Sequence, residues 1–292
     1  MISPVNKLVD LILEYNYKFK LFRAEHGFLN IRDLQGEFNW KNKSPVFVVS
    51  TGRTGTKFIA NFFNQFDDIF SKHEPDPDLL KLGNNYATNR VSATKAVKIF
   101  SSTRKIILNQ LFKLNYDRYL ESNNRLYSLI PIIKQSIPNS KFIHIVRDGR
   151  DVVRSGMSRN YYESNDPFPR IKATDFPQDP WYSKWNKMSR FEKVCWWWQK
   201  KDNFIRKSVQ NDYSITLKFE NIFNGKEDYP GMKKLAEFIG VSLKNIPLEN
   251  RMNNKCNSTK QYSIPHWKNW TDEHTRSFLT IAGDQMQKYN YL

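Results

Sequence analysis

A chain of 292 residues with 39% hydrophobic and 15% aromatic content can bury a core, which excludes a disordered chain. Lysine and arginine number 46 against 29 acids, a net charge of +17 that favours anionic partners, but the lysines are interleaved with acids, which argues against a dedicated nucleic-acid surface. Cys195 and Cys256 stand far apart with no Cys/His cluster beside them, so neither a disulfide framework nor a structural metal site is expected.

In chain order, Ser3-Pro4 reads as a helix start, and Val5, Leu8, Ile12, Tyr15, Phe19 and Phe22 form one apolar stripe. Residues 1–44 are therefore expected to be an N-terminal helical extension packed on the domain by that stripe, rather than a membrane-surface helix. Asp10 and Glu14 interrupt any signal-peptide core, and no apolar run approaches the ~20 residues that span a bilayer. The expectation is a soluble cytoplasmic protein.

Val46 to Val49 form a short β-branched strand, residues 50–56 a polar turn with two glycines, and residues 57–63 a helix. Residues 67–78, with His73-Glu74-Pro75, read as turns; residues 94–100 (TKAVKIF) as a second strand; residues 101–120 and 125–136 as helices. Residues 141–146 (KFIHIV) are a strand running into RDGRDVVRSGMSR, a second strand–polar turn–helix unit. Residues 161–182 carry four prolines and are too long for an ordinary connection, so a lid or acceptor-binding insertion is expected. Residues 191–209 form an aromatic, basic helix whose Trp196-Trp197-Trp198 run is expected to fill core and groove wall. A last strand (213–219), a short helix (231–239) ending at Gly240 and a final helix capped by Thr271 complete the chain. Strands alternating with helices predict one α/β domain over residues 1–292, with ligands at the carboxyl ends of a parallel sheet.

A strand that feeds a glycine-containing turn at a helix N-terminus makes an anion site, since backbone N–H groups and the helix dipole point at one spot. Residues 52–58 (GRTGTKF) place Arg53 and Lys57 there. They miss the Walker pattern G-x-x-x-x-G-K-[ST], because Phe58 stands where a hydroxyl would hold magnesium. A kinase is thereby disfavoured and no metal is called for.

The segment STGRTGTKF resembles the phosphosulfate-binding loop, P-[KR]-S-G-T-T, of sulfotransferases that use 3′-phosphoadenosine 5′-phosphosulfate (PAPS). Arg53 matches the basic position, Thr54 the serine, Gly55 the glycine and Thr56 the first threonine; Gly52 replaces the proline and Lys57 the second threonine. KFIHIVRDGRDVVRS resembles the family's 3′-phosphate segment, R-[DN]-P-[RK]-D-x-x-x-S, with Arg147 and Ser155 in place and Gly149 for the proline. Weaker likenesses follow in YSITLKFENIF, GMKKLAEFIG and HWKNWT. The resemblance, closest to bacterial and carbohydrate-type members, implies a three-layer P-loop-like fold, PAPS as donor, 3′-phosphoadenosine 5′-phosphate (PAP) as product and no metal. It further implies a hydroxyl or amine of a small molecule or glycan as acceptor, Glu74 as general base with His73 as alternate, and Glu220 as structural. Lys255, Ser258 and Lys260 would add cofactor contacts. A small-molecule kinase and a non-catalytic nucleotide- or polyanion-binding module remain competing readings.

Overall fold

Side chains alternate between the two faces of a strand, so a strand covered on both sides feeds two cores. The first strand does this: Phe47 and Val49 join one buried cluster, and Val46 and Val48 the other. The structure, a computed structural model, describes residues 15, 17–20, 22–26, 44–113, 116–210, 213–223, 228–244, 246–252, 259 and 261–292. Among them, strands β1 (Val46–Ser50), β2 (Ile69–His73), β3 (Arg118–Ser122), β4 (Lys141–Val146) and β5 (Ser214–Lys218) form one sheet. Its order is β2-β3-β1-β4-β5 and every pairing is parallel.

One face is covered by helices α1 (Thr56–Phe63) and α2 (Pro230–Ile239), which bring Phe62, Phe63, Met232 and Leu235 against Val48, Ile143 and Ile145. The other face carries α3 (Ala93–Lys113), α4 (Ile130–Ser136), α5 (Arg190–Ser208) and α6 (Asp272–Lys288). Their Phe100, Ile133, Trp196, Trp198 and Phe278 pack with Phe47 and Phe142. The expected three-layer α/β fold with a parallel sheet is what forms.

Several predicted elements differ. Residues 94–100 are not a strand but the start of α3, where Ala96, Ile99, Phe100, Thr103 and Ile107 are buried at helical spacing. Residues 67–78 contain β2, and the C-terminal end of the predicted 101–120 helix is β3. The helix expected over 125–136 is a 3₁₀ turn (Asn124–Leu126) followed by α4, whose first turn holds Pro131. The predicted apolar stripe of the N-terminal extension is also corrected as far as it is described: Tyr15, Phe19 and Phe22 are exposed, and Ala24 instead packs on Ile106 beside Tyr17. Its earlier residues lie outside those described. Among the described residues no helix is long and apolar enough to cross a membrane.

Candidate active site

All five strands point their carboxyl ends at one side of the sheet, and the turns that leave them converge there. After β1 the chain turns through Gly52 (φ 97°), Arg53 (φ 61°) and Gly55 (φ 74°), three left-handed residues in four. Only glycine fits at position 55, because a Cβ there would lie 2.4 Å from the Phe223 ring. The turn is held from within: Ser50 Oγ accepts from the Gly52 N–H at 3.0 Å and from the Thr54 hydroxyl at 2.7 Å. Gly55 is the N-cap of α1 and has no side chain to cap with, so among the described residues no side chain caps the first turn of α1, whose N–H groups are available to a ligand. Lys57 is exposed at the rim, while Phe58 is buried with its ring 5.4 Å from that of Phe223.

The segment after β4 meets this turn directly. Register pairs Ser50 with Ile145, so the two turns leave neighbouring strands side by side. Arg147 Nη1 donates to the Arg53 carbonyl at 2.8 Å, Nη2 reaches Asp151 at 3.4 Å, and the guanidinium lies 4.4 Å from the Phe219 ring centre. Its Nε is buried with no hydrogen-bond acceptor among the described residues. Helix α7 (Gly149–Met157) starts at the Asp148 cap and carries Ser155 back toward Arg53. Arg53 Nε donates to Ser155 Oγ at 2.8 Å and Arg53 Nη2 to Thr259 Oγ1 at 3.2 Å. Burial, with Arg159 and Arg147 close by, pushes the Arg53 guanidinium below its ordinary range, partly offset by Tyr161. Like charges gathered in a half-buried site are relieved by an anion.

Position 149 shows why this chain departs from proline. A Cβ there would sit 2.6 Å from the Trp198 ring, so the fully buried tryptophan occupies the space a side chain would need. Glu220 turns away from the cavity, accepting from the Asp148 N–H at 3.3 Å and the Tyr291 hydroxyl at 2.6 Å, a bracing role. The closing HWKNWT segment also stays outside the cavity lining, with Trp267 stacked 3.7 Å from the Arg150 guanidinium.

His73 and Glu74 close the other end. Glu74 is left-handed at φ 44°. Its carboxylate pairs with Arg125 at 3.1 Å and accepts from the Asn124 side chain. His73 Nδ1 donates to the Ser122 carbonyl at 2.9 Å, which leaves Nε2 as the basic nitrogen, 3.9 Å from Glu74. Non-glycine residues in left-handed backbone concentrate at functional sites, and Arg53 and Glu74 both adopt it here.

Arg53, Glu74, Arg147, Ser155 and Lys57 thus line one cavity of about 730 Å³, together with His73 and Gly52 to Thr56. Residues 161–182 supply Tyr161, Pro167, Phe168, Pro169 and Arg170 to its wall. Lys255, Ser258 and Lys260 lie outside the described residues, while their neighbour Thr259 is in the cavity. Sequence reasoning missed Thr259, Asn124, Arg125, Arg159 and Lys201, all cavity-lining. Asn124 and Arg125 were legible as polar residues just past a strand, had β3 been recognised; Lys201 looked like one more lysine on a basic helix.

A model described as "Sulfotransferase family" matches residues 45–245. Among solved structures, the sulfotransferase STF9 from Mycobacterium avium superposes with a TM-score of 0.52 at 10% identity, covering 94% of this chain and 84% of that one. Sulfotransferase STF1 from Mycobacterium tuberculosis H37Rv gives 0.51 at 9% identity over 82% and 77%. Mouse sulfotransferase SULT7A1, solved in complex with PAP, gives 0.50 at 14% identity over 92% and 89%. At such identities the superpositions speak for the fold. No curated protein sequence matches the chain.

Proposed function

The chain belongs to the sulfotransferase family, and from that premise we propose that it moves a sulfuryl group from PAPS to a hydroxyl or amine of a small-molecule or glycan acceptor, releasing PAP. The observation that carries this reading is the buried Nε of Arg147, with no acceptor among the described residues, in the same cavity as Ser155 and the Arg53 guanidinium that bonds it. Two cationic clamps on neighbouring strands suit a ligand with two anionic ends.

When bound, PAPS supplies a sulfuryl group on a phosphate leaving group. Arg53, with the open N–H groups at the start of α1, binds the 5′ end and stabilises the charge that builds there, an effect worth about 10²–10³ in rate per donor. Arg147 and Ser155 bind the 3′-phosphate and set the register of the nucleotide, with Thr259 completing the floor beneath Arg53. Lys57 meets the phosphates from the rim as a mobile point charge. Glu74 takes the proton from the acceptor, its carboxylate aimed by Asn124 and Arg125; His73, through Nε2, is the alternate base. Residues 161–182 line the acceptor end and select among acceptors. The guanidiniums supply the positive charge that a magnesium ion supplies to ATP enzymes, so turnover is expected to persist in EDTA.

Melting the protein with PAP alone and with ATP–magnesium tests the reading, because a ligand that binds the native state raises stability by mass action. Stabilisation by ATP–magnesium and not by PAP would sink it. Radiolabelled PAPS offered to a panel of hydroxyl and amine acceptors then identifies the acceptor; PAP binding with no transfer to any member would favour a binding module.

A further inference from the structure

Lys201 lies on α5 and is 3% exposed. Its amine donates to two backbone carbonyls, Asn124 at 3.2 Å and Thr51 at 3.4 Å, while the rings of Tyr127 and Trp197 flank it at 4.6 and 4.8 Å. Thr51 opens the turn that holds Arg53, and the Asn124 side chain holds Glu74. The amine therefore sits between the anion turn and the proposed base. No carboxylate pairs with it among the described residues. An ammonium has three N–H donors, two carbonyls take two, and Lys201 lines the cavity that both clamps share.

Lysines are almost never fully buried unless paired. We propose that Lys201 is a further catalytic residue of the sulfuryl transfer: it presents its remaining N–H to the anionic phosphosulfate group and takes up a proton from solvent when that group arrives. The inference rests on the cofactor reading given above. The charged groups facing the amine are Glu74 beyond β2, Arg125 beyond β3 and Arg170 in residues 161–182. Burial first, then Arg170 and Arg125, push it down to about 7, against the pull of Glu74. An amine poised in this way carries little charge in the free protein at pH 7.5 or above and becomes a full cation beside a bound anion. The alternative is a neutral strut that ties Thr51 to Asn124.

Proton counting separates the two. PAP is titrated calorimetrically into the full chain at pH 7.5 in two buffers of small and large ionisation enthalpy, with wild type and Lys201→Met compared. Wild type is expected to take up about 0.8 proton more than the variant per PAP bound, the difference between a group that titrates near 7 and one held fully charged. A structural strut would change affinity and leave that count unmoved. If Lys201→Met fails to fold, wild type at pH 8 suffices, since the phosphates of PAP are then ionised and an uptake approaching one proton is expected; a count near zero overturns the proposal. Equal counts in the two proteins, with PAP bound by both, overturn the role of Lys201 alone. Absence of any PAP binding overturns the cofactor reading, and this inference with it.

Discussion

Replacing Arg147 with alanine removes one guanidinium that braces the protein and, on the proposed reading, binds the ligand. Within the protein it donates to the Arg53 carbonyl, pairs with Asp151 in a half-exposed geometry and lies over Phe219. A charged donor to a carbonyl contributes about 1.5–3 kcal/mol, an i,i+4 ion pair about 0.3–0.5, and a cation–π contact about 0.5–1. Arg147→Ala is therefore expected to cost about 2–4 kcal/mol of stability and to lower Tm by about 5–10 °C. Toward the ligand, losing one or two charge-assisted bonds of about 1.5–3 kcal/mol each corresponds to a Kd for PAP raised roughly 10- to 10⁴-fold. Isothermal titration with PAP and with AMP distinguishes the clamp from general disruption, because AMP lacks the 3′-phosphate. The loss should be large for PAP and small for AMP. Unchanged PAP affinity, or equal losses for both nucleotides, would refute the assignment of Arg147 to the 3′-phosphate.

Glu74→Gln keeps the hydrogen bond from Asn124 and removes the base, so turnover should fall by a factor of about 10² or more at near-normal PAP affinity; wild-type turnover in steady-state assays would move the base to His73. Gly55→Ala forces a side chain into left-handed backbone and against Phe223, and should cost about 2–5 kcal/mol and abolish PAP binding, read by denaturant melts and calorimetry. The lowered titration of Lys201 also has a stability sign. Between about 7 and its ordinary 10.5 the unfolded chain holds more protons at this site than the native one, so the Tm of the unliganded protein should gain from each rise in pH between 7 and 9. Lys201→Met should be more stable than wild type at pH 7, with the gap narrowing steadily to pH 9 and closing only as the pH nears 10.5; a gap independent of pH would contradict the burial argument.

The parts of the fold that rest on short, local patterns were legible. β1, β4 and the turns behind them combine apolar β-branched runs with glycine and arginine at fixed offsets, and both segments lie where expected. β2 and β3 were not legible because their buried apolar residues, Ile69, Tyr119 and Leu120, are interleaved with buried polar ones. Glu121 is fully buried in β3, held by both arms of Arg104 and by the Tyr119 hydroxyl, and Ser71 and Ser122 are buried beside it. A strand whose inward residues are satisfied by partners elsewhere in the chain carries no hydrophobic period. In TKAVKIF, seven residues sampled too little of the helix; the burial of Thr103 and Ile107 completes the stripe. Lys201 was hidden for the same reason as Glu121, since its environment is assembled from three distant segments.

The strand order sets a division of labour across the sheet. On the proposed reading the nucleotide clamps rise from β1 and β4, whereas Glu74, Asn124 and Arg125, proposed for the acceptor end, rise from β2 and β3 on the other flank of the same cavity. Selection on acceptor preference can therefore rework one edge of the molecule, and the residues 161–182 that lean over it, without disturbing donor binding. A chimera that takes β2, β3 and residues 161–182 from one parent and β1 and β4 from the other would, on this reading, join the acceptor preference of the first to the donor site of the second.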